Sequence, residues 1–140
     1  MTSENLKRIA ADSNALLSAV SGGAALKVFL EPKIEVITTQ FNIDEVLEYI
    51  PRMALKYHLE KESLLLQLKM LPLRIMDEAE YEQEMSQAAK LLENKDPDDI
   101  PLLALALQQK IPVWSNDKDF ENLPVPVYAT ARLLKILEKR

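Results

Sequence analysis

The stretch DPDDIPLLALALQQKIPVWSNDKDF, Asp96 to Phe120, decides the fold. It opens as a polar loop, Asn94 to Asp99. Pro101 then stands in the first turn of a predicted helix over 101–109, where its missing N–H costs nothing. The run from Ile111 to Trp114 reads as a buried strand, and Ser115-Asn116-Asp117-Lys118-Asp119 reads as its exit loop. A helix feeding a buried strand is half of a parallel crossover unit, the repeating element of α/β proteins.

The same alternation extends toward both ends. Lys7 to Ala11 is a short apolar run that stops at Asp12 and reads as a first strand, and Asp12-Ser13-Asn14 supplies cap-type residues for a helix through Val20. Gly22-Gly23, the only glycines, break that helix, and Ala24 to Leu30 resumes it. Lys33 to Thr38 is alternating and β-branched, a second strand. Thr39 or Asn42 is placed to cap the following helix, whose apolar positions Ile43, Val46, Leu47, Ile50, Met53, Ala54 and Tyr57 keep helical spacing. Pro51 should kink that helix or split it. Further expected elements are a helix over 60–71, a strand over 73–76, one long helix over 77–92, an edge strand over 124–128 and a closing helix over 130–139. The fold class is therefore α/β: a three-layer α/β/α sandwich with a central parallel sheet covered on both faces. At 140 residues the chain is expected to form one domain, 1–140.

Composition removes several chemistries. With no cysteine, the chain has no disulfide, thiolate nucleophile or Cys-ligated metal, which suits a reducing cytoplasm. The polar start MTSENLKRIAAD carries no evident targeting segment, and no apolar run is long enough to span a membrane. His58 is the only histidine and has no acidic or serine partner nearby in sequence, so a serine-type triad is not expected. Gly22-Gly23 lacks the spacing of a phosphate-binding loop. A net charge of -5 argues against coating nucleic acid by charge, although acids that hold cations also lower the charge of the bare chain.

The acids are more informative. In parallel α/β sheets, ligands sit beyond the carboxyl ends of the strands. Asp12 follows the first strand, and Asp117 and Asp119 follow the fourth. Asp98 and Asp99 open a helix, where a carboxylate suits free N–H groups and the helix dipole. Glu45 lies in the first turns of the helix after the second strand. Each alone reads equally well as a cap or a solvated turn residue. Carboxylates that converge need protons or cations, and hard divalent ions with oxygen ligands, Mg²⁺ or Mn²⁺, are the natural compensation.

These residues resemble the PIN domain family over the whole chain. Asp99 followed by Leu102, Leu103, Ala104 and Ala106, then Ser115-x-Asp117 and Asp119-Phe120, is similar to the C-terminal half of that family. IAADSNALLSA resembles its opening, with Asp12 and Asn14 in place, and TTQFNIDEVLEYI resembles the helix of its second acid, which falls on Glu45. Ser115 stands where threonine is common. Asp98 competes with Asp99 for one role, and Asp119 with Asp117; spacing to Ala104 and Ala106 favours Asp99. The resemblance implies hydrolysis of single-stranded RNA. It makes Asp12, Glu45, Asp99 and Asp117 catalytic, with Asp12, Asp99 and Asp117 as metal ligands. Asn14, Asp98, Ser115 and Asp119 then support the ligands or replace one of them. It also implies a toxin partnered by a small antitoxin, and a homodimer.

The sequence leaves two rival readings open. One is an inactive PIN-like interaction module. The other is a receiver-type phosphoacceptor domain, which wants paired acids after the first strand and a lysine after the fifth; Asp12 has no acidic neighbour, and Pro126-Val127-Tyr128 holds no lysine. Residues expected to hold RNA are a rim of Lys7, Arg8, Lys27, Lys33, Arg52, Lys56, Arg132, Lys135 and Lys139. Tyr49, Tyr57 and Trp114 are candidates for base stacking.

Overall fold

A computed structural model describes residues 6–139. Met1 to Asn5, part of the polar start on which the reading of no targeting segment rests, lie outside the described residues. Five parallel strands form one sheet in the order β3-β2-β1-β4-β5: β1 Arg8–Ala11, β2 Glu35–Thr39, β3 Leu73–Met76, β4 Val113–Trp114 and β5 Val127–Tyr128. Helices α1 Ser13–Val20, α2 Leu26–Phe29, α3 Gln40–Tyr57, α4 Lys61–Met70, α5 Glu78–Tyr81, α6 Met85–Leu91, α7 Ile100–Gln109 and α8 Thr130–Glu138 complete it.

The middle strand is apolar on both sides because both sides are covered. Ile9 and Ala11 point into a core built with α1, α2, α3, α4 and α8, whereas Ala10 points into a second core with α5, α6 and α7. Leu102 to Ala106 of α7 are all buried against that second face. Trp114 fills the first core, its ring centroid 5.2 Å from that of Phe29, and its indole N–H donates to Thr130 Oγ1 at 2.9 Å.

Connectivity fixes where a ligand can sit. The chain runs outward from β1 through β2 to β3, then returns to place β4 on the other side of β1. The gap beyond the carboxyl ends of β1 and β4 is therefore the topological switch point, where parallel sheets bind ligands.

Local departures from the sequence expectation have local causes. The fourth and fifth strands are shorter than predicted and start just after Pro112 and Pro126. Neither proline has an N–H for the ladder, yet both carbonyls are used: Ala10 N–H donates to Pro112 O and Val113 N–H to Pro126 O, each at 2.9 Å. The predicted long helix over 77–92 is broken into α5, a 3-10 turn at Glu82–Glu84, and α6. The break falls at Tyr81 (φ -126°, ψ 12°), whose ring is buried in the second core. Pro51 does not split α3. It lies on the exposed side of the helix, where water can satisfy the carbonyl that loses its partner. Helix α3 ends at His58 in a left-handed cap conformation (φ 54°), and Gly22 takes φ 81° in the turn after α1.

The packing predicts a contrast between two leucines. Leu103→Ala, in the second core, should cost about 2–5 kcal/mol. Leu55→Ala, 81% exposed on α3, should change stability by no more than about 0.5 kcal/mol. Urea denaturation of both variants checks this.

Candidate active site

Asp12 is the first fixed point. It follows β1 directly, and its backbone N–H donates to Trp114 O of β4 at 3.1 Å. The turn into α1 makes it the N-cap, with Oδ1 accepting from Ala15 N–H at 2.9 Å. Oδ2 accepts from the Ser115 hydroxyl just past β4. The Ser115 oxygen in turn accepts from Asp117 N–H at 2.9 Å. Burial raises the Asp12 pKa against the pull of these donors, and the nearby charge of Asp117 raises it further.

The β4 exit loop supplies the next carboxylates. Asp117 caps a 3-10 turn at Lys118–Phe120, its Oδ1 accepting from Asp119 N–H at 2.9 Å. Asp119 reaches across to the loop before α7, where its Oδ2 accepts from Asp96 N–H at 3.3 Å. Asp96 caps the 3-10 turn Pro97–Asp99, its Oδ1 accepting from Asp98 N–H at 3.0 Å. Asp99 then enters α7, and its Oδ2 is buried with no hydrogen-bond partner. Its pKa is pushed up to about 8, first by burial, then by the Asp119 carboxyl close beside it and by the charges of Asp117 and Asp96. Oxygens of Asp99, Asp117 and Asp119 lie within 4.8 Å of one another.

Glu45 arrives from the other side of β1. Thr39 caps α3, its Oγ1 accepting from Asn42 N–H at 2.9 Å. Asn42 Nδ2 donates to Ser13 Oγ at 2.9 Å, and Ser13 donates to Glu45 Oε1 at 2.7 Å. Burial raises the Glu45 pKa; the Ser13 bond opposes it, and Asp98, Asp96 and Asp12 add repulsion.

Of the residues singled out from sequence, Asp12, Asn14, Glu45, Asp98, Asp99 and Asp117 line one cleft of about 140 Å³. Ser115 lies against it through Asp12, and Asp119 through Asp99 and Asp117. Ser13, Asn42 and Asp96 also line the cleft and escaped the sequence reading. Asn42 carried one usable signal, the paired cap residues Thr39 and Asn42. The cation rim does not assemble as one set. Arg8 and Lys33 lie at or before the amino ends of β1 and β2, opposite the acids, and Arg8 is held by Gln109 and Glu35. Trp114 is fully buried and unavailable for stacking.

Seven carboxylates thus meet with no ion pair to any of them among the described residues; the Lys95 ammonium reaches the cluster only at the Asp119 backbone carbonyl, 3.0 Å away. Such a cluster is stable as protonated acids or around a divalent cation, and the free Asp99 oxygen is the donor type a hard ion takes.

A parallel sheet with an acidic cluster at its switch point defines an α/β protein with a candidate metal centre. Sequence comparison makes this specific: a family model described as a PIN domain matches residues 11–138, and the chain belongs to that family. No curated protein shows significant sequence similarity to it. Solved structures similar in fold include the Pyrobaculum aerophilum protein PAE2754, with a TM-score of 0.73, 13% identity and all of both chains covered. VapBC2 from Rickettsia felis, solved bound to a DNA fragment from its promoter, gives a TM-score of 0.70 at 14% identity over 87% of this chain and 98% of that one. Mycobacterium tuberculosis VapC20, described as a sarcin-ricin loop cleaving toxin, gives 0.57 at 16% identity over 80% and 92%.

The carboxyl groups with raised pKa values set a direction for stability. Asp12, Glu45 and Asp99 hold protons more tightly folded than unfolded. Their stabilising contribution is complete below the ordinary carboxylate range and is lost as pH rises toward about 8, the Asp99 value. The melting temperature of the metal-free protein should therefore fall between pH 5 and pH 9. Asp99→Asn should flatten that fall, and Mn²⁺ should raise the melting temperature more at pH 8 than at pH 5. Thermal denaturation across this series measures all three effects.

Proposed function

We propose that this chain is a metal-dependent endoribonuclease acting on single-stranded RNA, the toxin of a toxin–antitoxin pair. The observation that carries the reading is the convergence of acids around the buried, unpartnered Asp99 oxygen at the switch point. Asp99 and Asp117 are the direct ligands of Mg²⁺ or Mn²⁺, with Asp119 the third oxygen in reach. Asp12, held by Ala15 and Ser115, contributes charge at the back of the cleft and a ligand directly or through water. Asp98 lines the cleft as an alternate, and Asn14 lines it where its amide would bond to a carboxylate or to the phosphate.

When bound, a divalent ion supplies Lewis acidity, favouring hydroxide over water and offsetting charge on phosphate oxygens. The chain's own part is positional and protonic. Ser13 fixes Glu45 at Oε1, so the carboxylate faces the cleft in one orientation. Burial raises its proton affinity, which suits a group that takes the proton from the attacking water. Attack at phosphorus breaks the bond to the departing ribose oxygen. Ser115 keeps Asp12 and the Asp117 backbone in register while this occurs.

The partner assignments rest on family and fold. Structures of similar fold include a toxin–antitoxin complex from Klebsiella pneumoniae as well as the Rickettsia felis VapBC2 complex. A small antitoxin is accordingly the expected protein partner, and the site of action is the cytoplasm. No helix among the described residues is long and apolar enough to cross a membrane. A homodimer is supported by an apolar groove of about 650 Å³ between α3, α4 and β3, whose walls include the exposed Leu47, Leu66 and Ile75.

Asp12→Asn is the decisive variant. Asparagine caps a helix as well as aspartate does, so the fold should persist. Loss of an anionic group beside the metal should cut cleavage of single-stranded RNA in Mn²⁺ at least about 100-fold. EDTA should abolish wild-type cleavage. Equal cleavage by variant and wild type, with folding verified by circular dichroism, overturns the assignment and favours an inactive interaction module.

A further inference from the structure

The acidic cleft continues past Glu45 into a second depression of about 420 Å³, and Ser13, Asn14 and Glu45 belong to the walls of both. Beyond Glu45 the lining is Leu17 of α1 and Tyr49, Met53 and Tyr57 of α3. Glu45, Tyr49, Met53 and Tyr57 follow at intervals of four and so form one ridge of the helix, about 18 Å from first to last. Met53 is buried, and Tyr49 packs on the edge of the first core. Core packing does not account for Tyr57, which is 56% exposed.

Each tyrosine also has a cation beside it. The Arg52 guanidinium lies 6.0 Å from the Tyr49 ring centroid, and Lys56 Nζ lies 5.3 Å from that of Tyr57. Both cations are exposed, and neither makes an ion pair among the described residues. Contacts this long at an exposed site are weak, and stacking of a base on the ring is stronger. A base can therefore displace the cation and leave it free for phosphate. Along α3 the order is Tyr49, Arg52, Lys56, Tyr57, so two cations on the row beside the ridge lie between two aromatic rings, as phosphates lie between bases in a single strand. The ridge also leads directly into the acidic site.

We propose that this ridge is the track for the substrate strand, with Tyr49 and Tyr57 stacking unpaired bases and Arg52 and Lys56 binding the phosphates between them. The proposal rests on the nuclease reading of the acidic cleft and deepens it. Acids repel the strand at the point of attack, so its anchorage must lie outside the cleft, and Arg52 and Lys56 supply cations alongside the ridge. It also supplies a reason for single-strand preference, since paired bases do not offer their faces to a ring.

The test is fluorescence anisotropy of the full chain with a cleavage-resistant phosphorothioate uridine 12-mer in Mg²⁺. Tyr57→Ala should weaken binding roughly tenfold, and Tyr57→Phe, which keeps the ring, should restore it. Lys56→Ala should reduce the magnitude of the slope of log affinity against log salt by about 0.7. Lys90→Ala, the same charge change on α6 across the sheet, should alter neither. Wild-type affinity in Tyr57→Ala, loss of affinity in Tyr57→Phe equal to that in Tyr57→Ala, or no binding by wild type overturns the track. So does a Tyr57→Ala effect confined to binding of a protein partner. Because binding is read without turnover, the two readings fail separately. A chain that binds through Tyr57 and cleaves nothing sinks the nuclease reading, whereas a chain that cleaves but is indifferent to Tyr57 sinks the track alone.

Discussion

The hydrogen bond from the Ser115 hydroxyl to Asp12 joins the two halves of the molecule at the point where the sheet reverses its order. Asp12 ends the first strand and begins the first helix; Ser115 ends the fourth strand and begins the loop carrying Asp117 and Asp119. One buried carboxylate thus closes the helix terminus and fixes the adjacent loop. Its burial has a cost, visible in its raised pKa, and the two donors offset part of it.

Around that joint the protein gathers negative charge instead of dispersing it. Asp96, Asp98 and Asp99 come from the loop and 3-10 turn before α7, Asp117 and Asp119 from the β4 loop, Glu45 from α3. Much of their hydrogen bonding is spent on one another's backbone amides, as in Asp96 with Asp98 and Asp117 with Asp119. These bonds organise the loops but leave the net charge unbalanced. The imbalance is largest at Asp99, whose pKa is pushed up to about 8. Perturbed carboxylates of this kind cluster at functional sites, and the proposed cation would relieve the repulsion among them.

The architecture was legible because parallel strands buried on both faces leave continuous apolar runs, and each such run here ends beside a cap residue or an acid. What the runs did not show was their trimming by Pro112 and Pro126, because those prolines still accept hydrogen bonds through their carbonyls. The break at Tyr81 was hidden for another reason: the helical spacing persists through it while the ring turns inward. At the site, Asp12, Asp99 and Asp117 announce themselves by standing at element ends. Ser13 and Asn42 do not, since Ser13 reaches Glu45 across 32 residues and Asn42 reaches Ser13 across 29. Those bonds exist only once α1 and α3 pack together. The expected cation rim failed in part because strand polarity, invisible in a list of lysines, sends Arg8 and Lys33 to the far edge of the sheet.

The central claim is that the acids at the switch point meet in order to hold a divalent ion. Anomalous X-ray diffraction from crystals of the protein soaked in Mn²⁺ tests it most directly. The account predicts a manganese peak in the cleft, bonded to carboxylate oxygens of Asp99 and Asp117. A well-ordered cleft with no peak, or a peak confined to acids elsewhere on the surface, would contradict it.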